Sequence, residues 1–200
     1  MFAFESLRKT LGKITGVRTP GTRAARESTR LRRARTIMFK DDGSIPNNPR
    51  LPLIHYRGAV VLAGSQDPAA VFEVLFGANG WKDSWRNGIY DYVHYHSRTH
   101  EVLGIACGHA RVRFGGNNGK VLDLEAEDVV VLPAGTGHQC LSASDDLLVV
   151  GAYPASGEYD ECTPLPEHHA RALASIPKVP VPPKDPVYGA TGPLRDVWRR

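Results

Sequence analysis

The chain has 200 residues, 42% of them hydrophobic, enough for one domain with a real core that buries roughly 70% of its unfolded surface. No apolar run approaches the roughly eighteen residues needed to cross a bilayer, and no compact apolar segment with a cleavage-like end marks a secretory signal. Three scattered cysteines without a CxxC pair, Cys107, Cys140 and Cys162, argue against a disulfide framework and for free thiols in a reducing compartment.

The net charge of +4 is unevenly spread, with +9 on residues 1–40 and −5 on residues 41–200. Residues 1–40 are therefore read as a basic, disordered extension, whose Arg30-Leu31-Arg32-Arg33-Ala34-Arg35 run is poorly able to form a core. Within it Phe4, Leu7, Leu11 and Ile14 fall at helical spacing, with Arg8, Lys9 and Lys13 between them. Such a segment is either a dispensable arm on a cytoplasmic protein or a targeting sequence for mitochondria or another organelle. No aromatic-studded basic face supports nucleic-acid recognition.

Residues 41–163 are expected to form the body of the protein. Turn chemistry at Asp41-Asp42-Gly43 and Pro46-Asn47-Asn48-Pro49 leads into Leu51 to Leu62, an apolar and β-branched stretch that predicts a strand. Asp67-Pro68 supplies an N-cap and a first-turn proline for a helix to about Phe76, ended by Gly77. Trp81 and Trp85 follow on a polar connection and are expected to seal the helix onto the sheet or plug a barrel end. Beyond Gly88, strands are predicted at Ile89 to Tyr95, Val102 to Ala106, Ala110 to Phe114, Val121 to Leu124, Val129 to Leu132 and Leu147 to Tyr153, with Gly115 to Gly119 as a hairpin loop. Many short strands with regular turns indicate an all-β sandwich or barrel with a few short helices. Residues 164–200 predict a short helix at about Pro166 to Ala174 and a proline-rich extended tail packing on the barrel.

One stretch carries chemistry. Alternate residues of a strand share a face, so His94 and His96 project together, roughly 7 Å apart at the backbone. The polar segment Ser97 to His100 makes a turn that sets Glu101 at the start of the next strand beside that pair. His138 follows the turn Pro133-Ala134-Gly135-Thr136-Gly137 and could add a further ligand from another strand. Two imidazoles, a carboxylate and a third imidazole are the donor types of a divalent metal site.

The residues Gly88, His94, His96, Glu101 and Gly108 resemble the first motif of the cupin superfamily, and Pro133, Gly135 and His138 resemble the second. The second motif departs at its opening glycine, where this chain has Glu127, and at its trailing asparagine, where it has Ser142. The resemblance covers about residues 50 to 155. With the flanking Pro46-Asn47-Asn48-Pro49 and Asp185-Pro186-Val187-Tyr188-Gly189, it points to a small single-domain, RmlC-like subgroup without an assigned reaction. It implies a double-stranded β-helix (jelly roll) holding one divalent transition metal (Fe, Mn, Ni, Co or Zn) on His94, His96, Glu101 and His138.

Around the site, Tyr90 and Tyr92 share parity with His94 and His96, and Cys140 shares parity with His138; all three are candidate pocket residues. His100 is the rival to Glu101 as ligand. Two functions are carried forward. One is a metal-dependent, dioxygenase-like oxidoreductase acting on a small organic molecule. The other is a non-catalytic small-molecule-binding or regulatory protein, with a metal-dependent isomerase or lyase between them. The expected partners are that small molecule and a second copy of the chain in a homodimer, with no nucleic acid and no membrane span.

Overall fold

The computed structural model describes residues 18–62, 64 and 66–199. The candidate basic helix carrying Phe4, Leu7, Leu11 and Ile14 lies outside the described residues.

Two antiparallel sheets face each other as a jelly roll. The larger joins β1 (Arg35–Ile37), β2 (Leu53–Tyr56), β7 (Val129–Leu132), β4 (Glu101–Cys107), β9 (Leu148–Pro154) and β3 (Trp81–Asn87) in the order β1-β2-β7-β4-β9-β3. The smaller has the order β6-β5-β8, from β6 (Lys120–Glu125), β5 (His109–Phe114) and β8 (His138–Ala143). Their inner faces enclose a core that includes Leu53, Leu103, Val112, Phe114, Leu124 and Val130.

The two sheets differ in pattern because they differ in cover. Helix α2 (Pro68–Ala78) lies on the outer face of the six-stranded sheet, where Phe72, Leu75 and Phe76 pack with Ile54, Val102, Val131 and Val150. With both faces covered, β7 is buried at every residue and reads as an unbroken apolar run. The outer face of the small sheet is wet, so β5 alternates, with Ala110, Val112 and Phe114 buried. Helix α2 begins as its sequence predicts: Asp67 Oδ1 accepts from the N–H groups of Ala69 and Ala70.

Four expectations need correction. The described part of the basic extension is ordered: α1 (Thr22–Glu27) forms a helix, and β1 adds an edge strand in which Arg35 pairs with His55 and Ile37 with Leu53. An arginine-rich segment needs no core of its own when an existing sheet edge satisfies its backbone, and Arg32 Nε fixes it by donating to the Gly58 carbonyl at 3.1 Å. Ile89 to Tyr95 is not a continuous strand; it meets β8 through an isolated bridge, His94 with His138, and a Cys140 N–H bond to the Tyr90 carbonyl at 2.8 Å, while a second bridge joins Tyr95 to Cys162. Trp81 to Asn87 is strand β3 rather than a connection. Its bulge between Lys82 and Trp85, with Asp83 at φ +52, breaks the alternation a strand would show. Leu51 to Leu62 contributes only β2, because the chain turns at Gly58, φ +55.

After β9 the chain passes through α3 (Pro166–Ser175), a 3₁₀ turn (Ile176–Lys178) and α4 (Leu194–Val197). Buried Asp185 ties this tail to β2, its Oδ2 accepting from the Tyr56 hydroxyl at 2.6 Å and the Leu194 N–H at 3.1 Å. Fully packed Trp198 donates its Nε1–H to the Pro52 carbonyl at 2.9 Å. No described helix is long and apolar enough to cross a membrane.

Candidate metal centre

Four side chains meet at one end of the barrel interior. Glu101 is the first residue of β4, opposite Leu132 of β7, and His138 is the first residue of β8. The His94–His138 bridge brings the third element in: each backbone N–H donates to the other's carbonyl, at 3.2 and 2.9 Å. A Gly135 N–H bond to the His96 carbonyl, 2.7 Å, secures the fourth. Gly135 is required there: at φ +91, a Cβ would lie 2.5 Å from Ile176 Cδ1 and 2.9 Å from the Asn47 carbonyl oxygen.

The three imidazoles are oriented alike. Each Nδ1 faces a backbone carbonyl, that of Tyr92 for His94 (3.4 Å), of Thr136 for His138 (3.2 Å) and of Asp160 for His96. A carbonyl can only accept, so each Nδ1 carries the hydrogen and each Nε2 is left to the interior. One nitrogen from each ring lies within 4.8 Å of the others. Glu101 Oε2 comes to 3.4 Å from Nε2 of both His96 and His138. All four residues are at most 5% exposed.

This arrangement fits a cation. Glu101 Oε2 is buried and has no hydrogen-bond partner among the described residues. A buried carboxylate oxygen facing the Nε2 atoms is unfavourable unless positive charge, a proton on His96 or a metal ion, lies between them. Ligand atoms about 2.1 Å from one ion stand roughly 3.0 to 3.4 Å apart at octahedral or tetrahedral angles, and the two observed separations of 3.4 Å fall in that range. The electrostatics agree. Burial pushes His138 down to about 3, with His94 adding to the effect, and burial likewise lowers His94. Burial alone would raise Glu101, yet the His96 charge and the other two rings hold it at about 2. For His96, burial is outweighed by Glu101, so its pKa is raised.

His100 is no rival to Glu101. Its buried Nδ1 accepts from the Ala134 N–H at 2.9 Å, its ring packs on Trp198 with centroids 4.8 Å apart, and burial pushes its pKa down to about 3.

A cavity of about 270 Å³ opens over the cluster. Of the three pocket candidates, only Tyr90 lines it. Tyr92 stacks on Tyr90 at 4.9 Å and donates its hydroxyl to Glu161 at 2.9 Å, outside the lining. Both rings are more than 40% exposed, because the segment they occupy is not a strand and parity does not govern it. Cys140 packs against the inner core below the site.

The walls hold two residues that the sequence reading did not single out, Tyr153 and Tyr159, together with Trp85, which it expected to seal the helix or plug a barrel end. Trp85 Nε1 donates to the Tyr153 hydroxyl at 2.9 Å, and that hydroxyl is directed at the Glu101 carboxylate. Tyr153 carried a signal, since it shares parity with inward Val149 on an expected strand. Asp160 carried none. Its Oδ1 accepts from the Ser97 and Arg98 N–H groups at 2.9 and 3.0 Å, and its Oδ2 from the Ser97 hydroxyl at 2.6 Å.

The family departure at position 127 has a structural answer. Glu127 sits at φ +79, the conformation a glycine would adopt, and its Oε1 accepts from the Leu62 N–H at 3.0 Å. The turn is kept by a different residue.

No family model matches the chain. It is 39% identical over 167 residues, 84% of this chain and 98% of the relative, to a Bacillus subtilis (strain 168) protein described as uncharacterized protein YjlB. Similar solved structures include the WlaRB TDP-quinovose 3,4-ketoisomerase from Campylobacter jejuni, at 14% identity over 44% of this chain and 75% of that one, TM-score 0.38. They also include the acireductone dioxygenase from Bacillus anthracis with cadmium in its active centre, at 19% identity over 48% and 68%, TM-score 0.34. A Bacillus subtilis oxalate decarboxylase, OxdC, matches at 18% identity over 56% of this chain and 23% of its own length, TM-score 0.32.

Proposed function

We propose that this chain, which belongs to the family of the Bacillus subtilis protein just described and whose motifs resemble those of the cupin superfamily, is a metal-dependent oxidoreductase of the dioxygenase kind, acting on a small organic molecule. The observation that carries the metal reading is the shared orientation of His94, His96 and His138, each turned by a carbonyl at Nδ1, around an otherwise unpartnered Glu101 oxygen.

Three nitrogens and one oxygen would hold Fe, Mn, Ni, Co or Zn and leave up to two positions facing the cavity, where the metal would act as a Lewis acid or exchange electrons. The chain's own residues do the rest. The Trp85 indole fixes the Tyr153 hydroxyl beside Glu101, so that one proton is held at Tyr153 Oη where a substrate oxygen would bind. Burial raises the pKa of that hydroxyl, which keeps the proton in place at neutral pH. The Tyr159 ring, 5.1 Å from His96, limits water at the mouth.

The test is to purify the protein without a chelating tag, measure bound metal, and follow O₂ uptake with a panel of small acids, diols and thiols. A stoichiometric redox metal with substrate-dependent uptake is expected. Loss of metal from His96→Ala and Glu101→Ala supports the ligand set, whereas unchanged metal content in both overturns it. Full metal content without O₂ uptake across the panel would turn the reading toward a binding protein or a metal-dependent isomerase.

A further inference from the structure

The cavity walls discriminate by charge. Outside the histidine cluster, Arg86 is the one cationic residue lining the cavity among the described residues, and it is already engaged. Its Nε and Nη2 donate to Glu73 at 2.7 and 2.8 Å, and its Nη1 donates to Asp67 at 2.9 Å. That geometry turns the guanidinium toward helix α2 and leaves it balanced by two carboxylates.

The rim outside the mouth is acidic. Exposed Glu161, itself outside the lining, accepts from the hydroxyls of Tyr92 at 2.9 Å and of Tyr159 at 3.2 Å, and the Tyr159 ring lines the cavity. The surfaces between mouth and metal cluster are largely rings. Trp85, Tyr90, Tyr153 and Tyr159 line the space, and the Tyr153 and Tyr159 centroids lie 5.4 Å apart at 66°. Such walls favour a planar ring packed edge to face or offset. The volume, about 270 Å³, equals roughly nine water molecules at about 30 Å³ each, which suits one ring with a short substituent.

Resting on the metal-centre reading above, we propose that the site selects a small planar ring bearing two adjacent oxygen donors, of the catechol or cyclic enediol kind, with no anionic group away from those donors. The two oxygens match the two open metal positions. A remote carboxylate would stand near the Glu161 charge, behind the Tyr159 ring, with no free cation in the cavity lining to meet it, and like charges set side by side repel. A remote ammonium would instead meet the ring faces and Glu161.

Three catechols of similar size and different side-chain charge test this: 4-propylcatechol, 4-(2-aminoethyl)catechol and 3,4-dihydroxyphenylacetate. They are titrated calorimetrically into protein loaded with redox-silent zinc, after its zinc content is measured. The neutral and ammonium compounds should bind within a few-fold of each other, and the carboxylate about tenfold or more weakly. Equal or tighter binding of the carboxylate overturns the proposal, as does failure of all three to bind zinc-loaded protein. Failure to retain zinc overturns the metal reading instead. The same ranking measured on metal-free protein then judges the walls alone, because charge discrimination originates in them. In Glu161→Gln the gap between neutral and anionic compounds should shrink; an unchanged gap overturns the role of the acidic rim.

Discussion

Replacing Asp160 by alanine separates the groups that hold a metal from the group that aims one of them. The Asp160 backbone carbonyl receives His96 Nδ1, and its carboxylate pins the loop to the residues just past His96 through the Ser97 N–H, the Arg98 N–H and the Ser97 hydroxyl, at 2.9, 3.0 and 2.6 Å. Each bond to a charged acceptor is worth about 1.5 to 3 kcal/mol, so the three set a ceiling of several kcal/mol on local order. The paired backbone bonds between Tyr95 and Cys162, both 2.9 Å, survive the substitution and keep the loop attached. Only part of the loss therefore reaches His96. The expected result is a metal affinity about 10- to 100-fold lower, or about 1.4 to 2.8 kcal/mol, the range typical for removing an outer partner of a metal-binding histidine. Competition between the protein and a chromophoric chelator for zinc measures it. Asp160→Asn, which keeps an acceptor for the two N–H groups, should fall between wild type and alanine. A folded Asp160→Ala protein with unchanged zinc affinity would refute the idea that this loop orients His96.

Because the His96 pKa is raised, the metal-free protein holds a proton between His96 and Glu101 at and somewhat above pH 6.5, and metal must displace it. Zinc uptake should then release close to one proton at pH 6 and progressively less as pH rises through that raised pKa, read with a pH indicator; release that grows with pH would contradict the assignment. A methyl group at Gly151 would lie 2.1 Å from the Trp85 ring, so Gly151→Ala should displace the indole, break its bond to Tyr153 and cost about 1 to 3 kcal/mol in urea unfolding. His100 stays neutral in the folded protein down to about pH 3, while the unfolded chain takes up that proton below about 6.5, so acid drives unfolding across this window. His100→Asn keeps an acceptor for the Ala134 N–H and removes the linkage, so the stability lost by wild type between pH 7 and pH 5 should exceed that of the variant by about 2 kcal/mol.

Much of the six-stranded sheet was legible because its cover makes its strands apolar on both faces; β4 and β7 could not be mistaken. Strands β3 and β8 were not, for they lie at sheet edges and carry polar residues, such as Lys82, Asp83 and Ser142, on the exposed side. The same distinction runs through the site. His94, His96 and Glu101 sit within eight residues of one another, so local geometry brings them into one place, and His138 follows a turn whose glycines announce it. Tyr90 and Tyr92 were read by strand parity, which fails where bridges replace a strand.

What the sequence does not display is the aiming of the ligands. Asp160 meets His96 across 64 residues of chain, Tyr153 meets Trp85 across 68, and Asn47 seats beside Gly135, all through contacts that no spacing rule encodes. Glu127 shows the complementary case. A non-glycine residue at φ +79 costs about 1 to 2 kcal/mol, and its side chain offsets part of that cost by accepting from the Leu62 N–H. The backbone shape required at that turn is retained while the residue that usually supplies it is not. A motif read letter by letter records a departure there, whereas the conformation records none. The ligands depend on the conformation, because β7 begins two residues after Glu127 and its far end, Leu132, lies in register with Glu101.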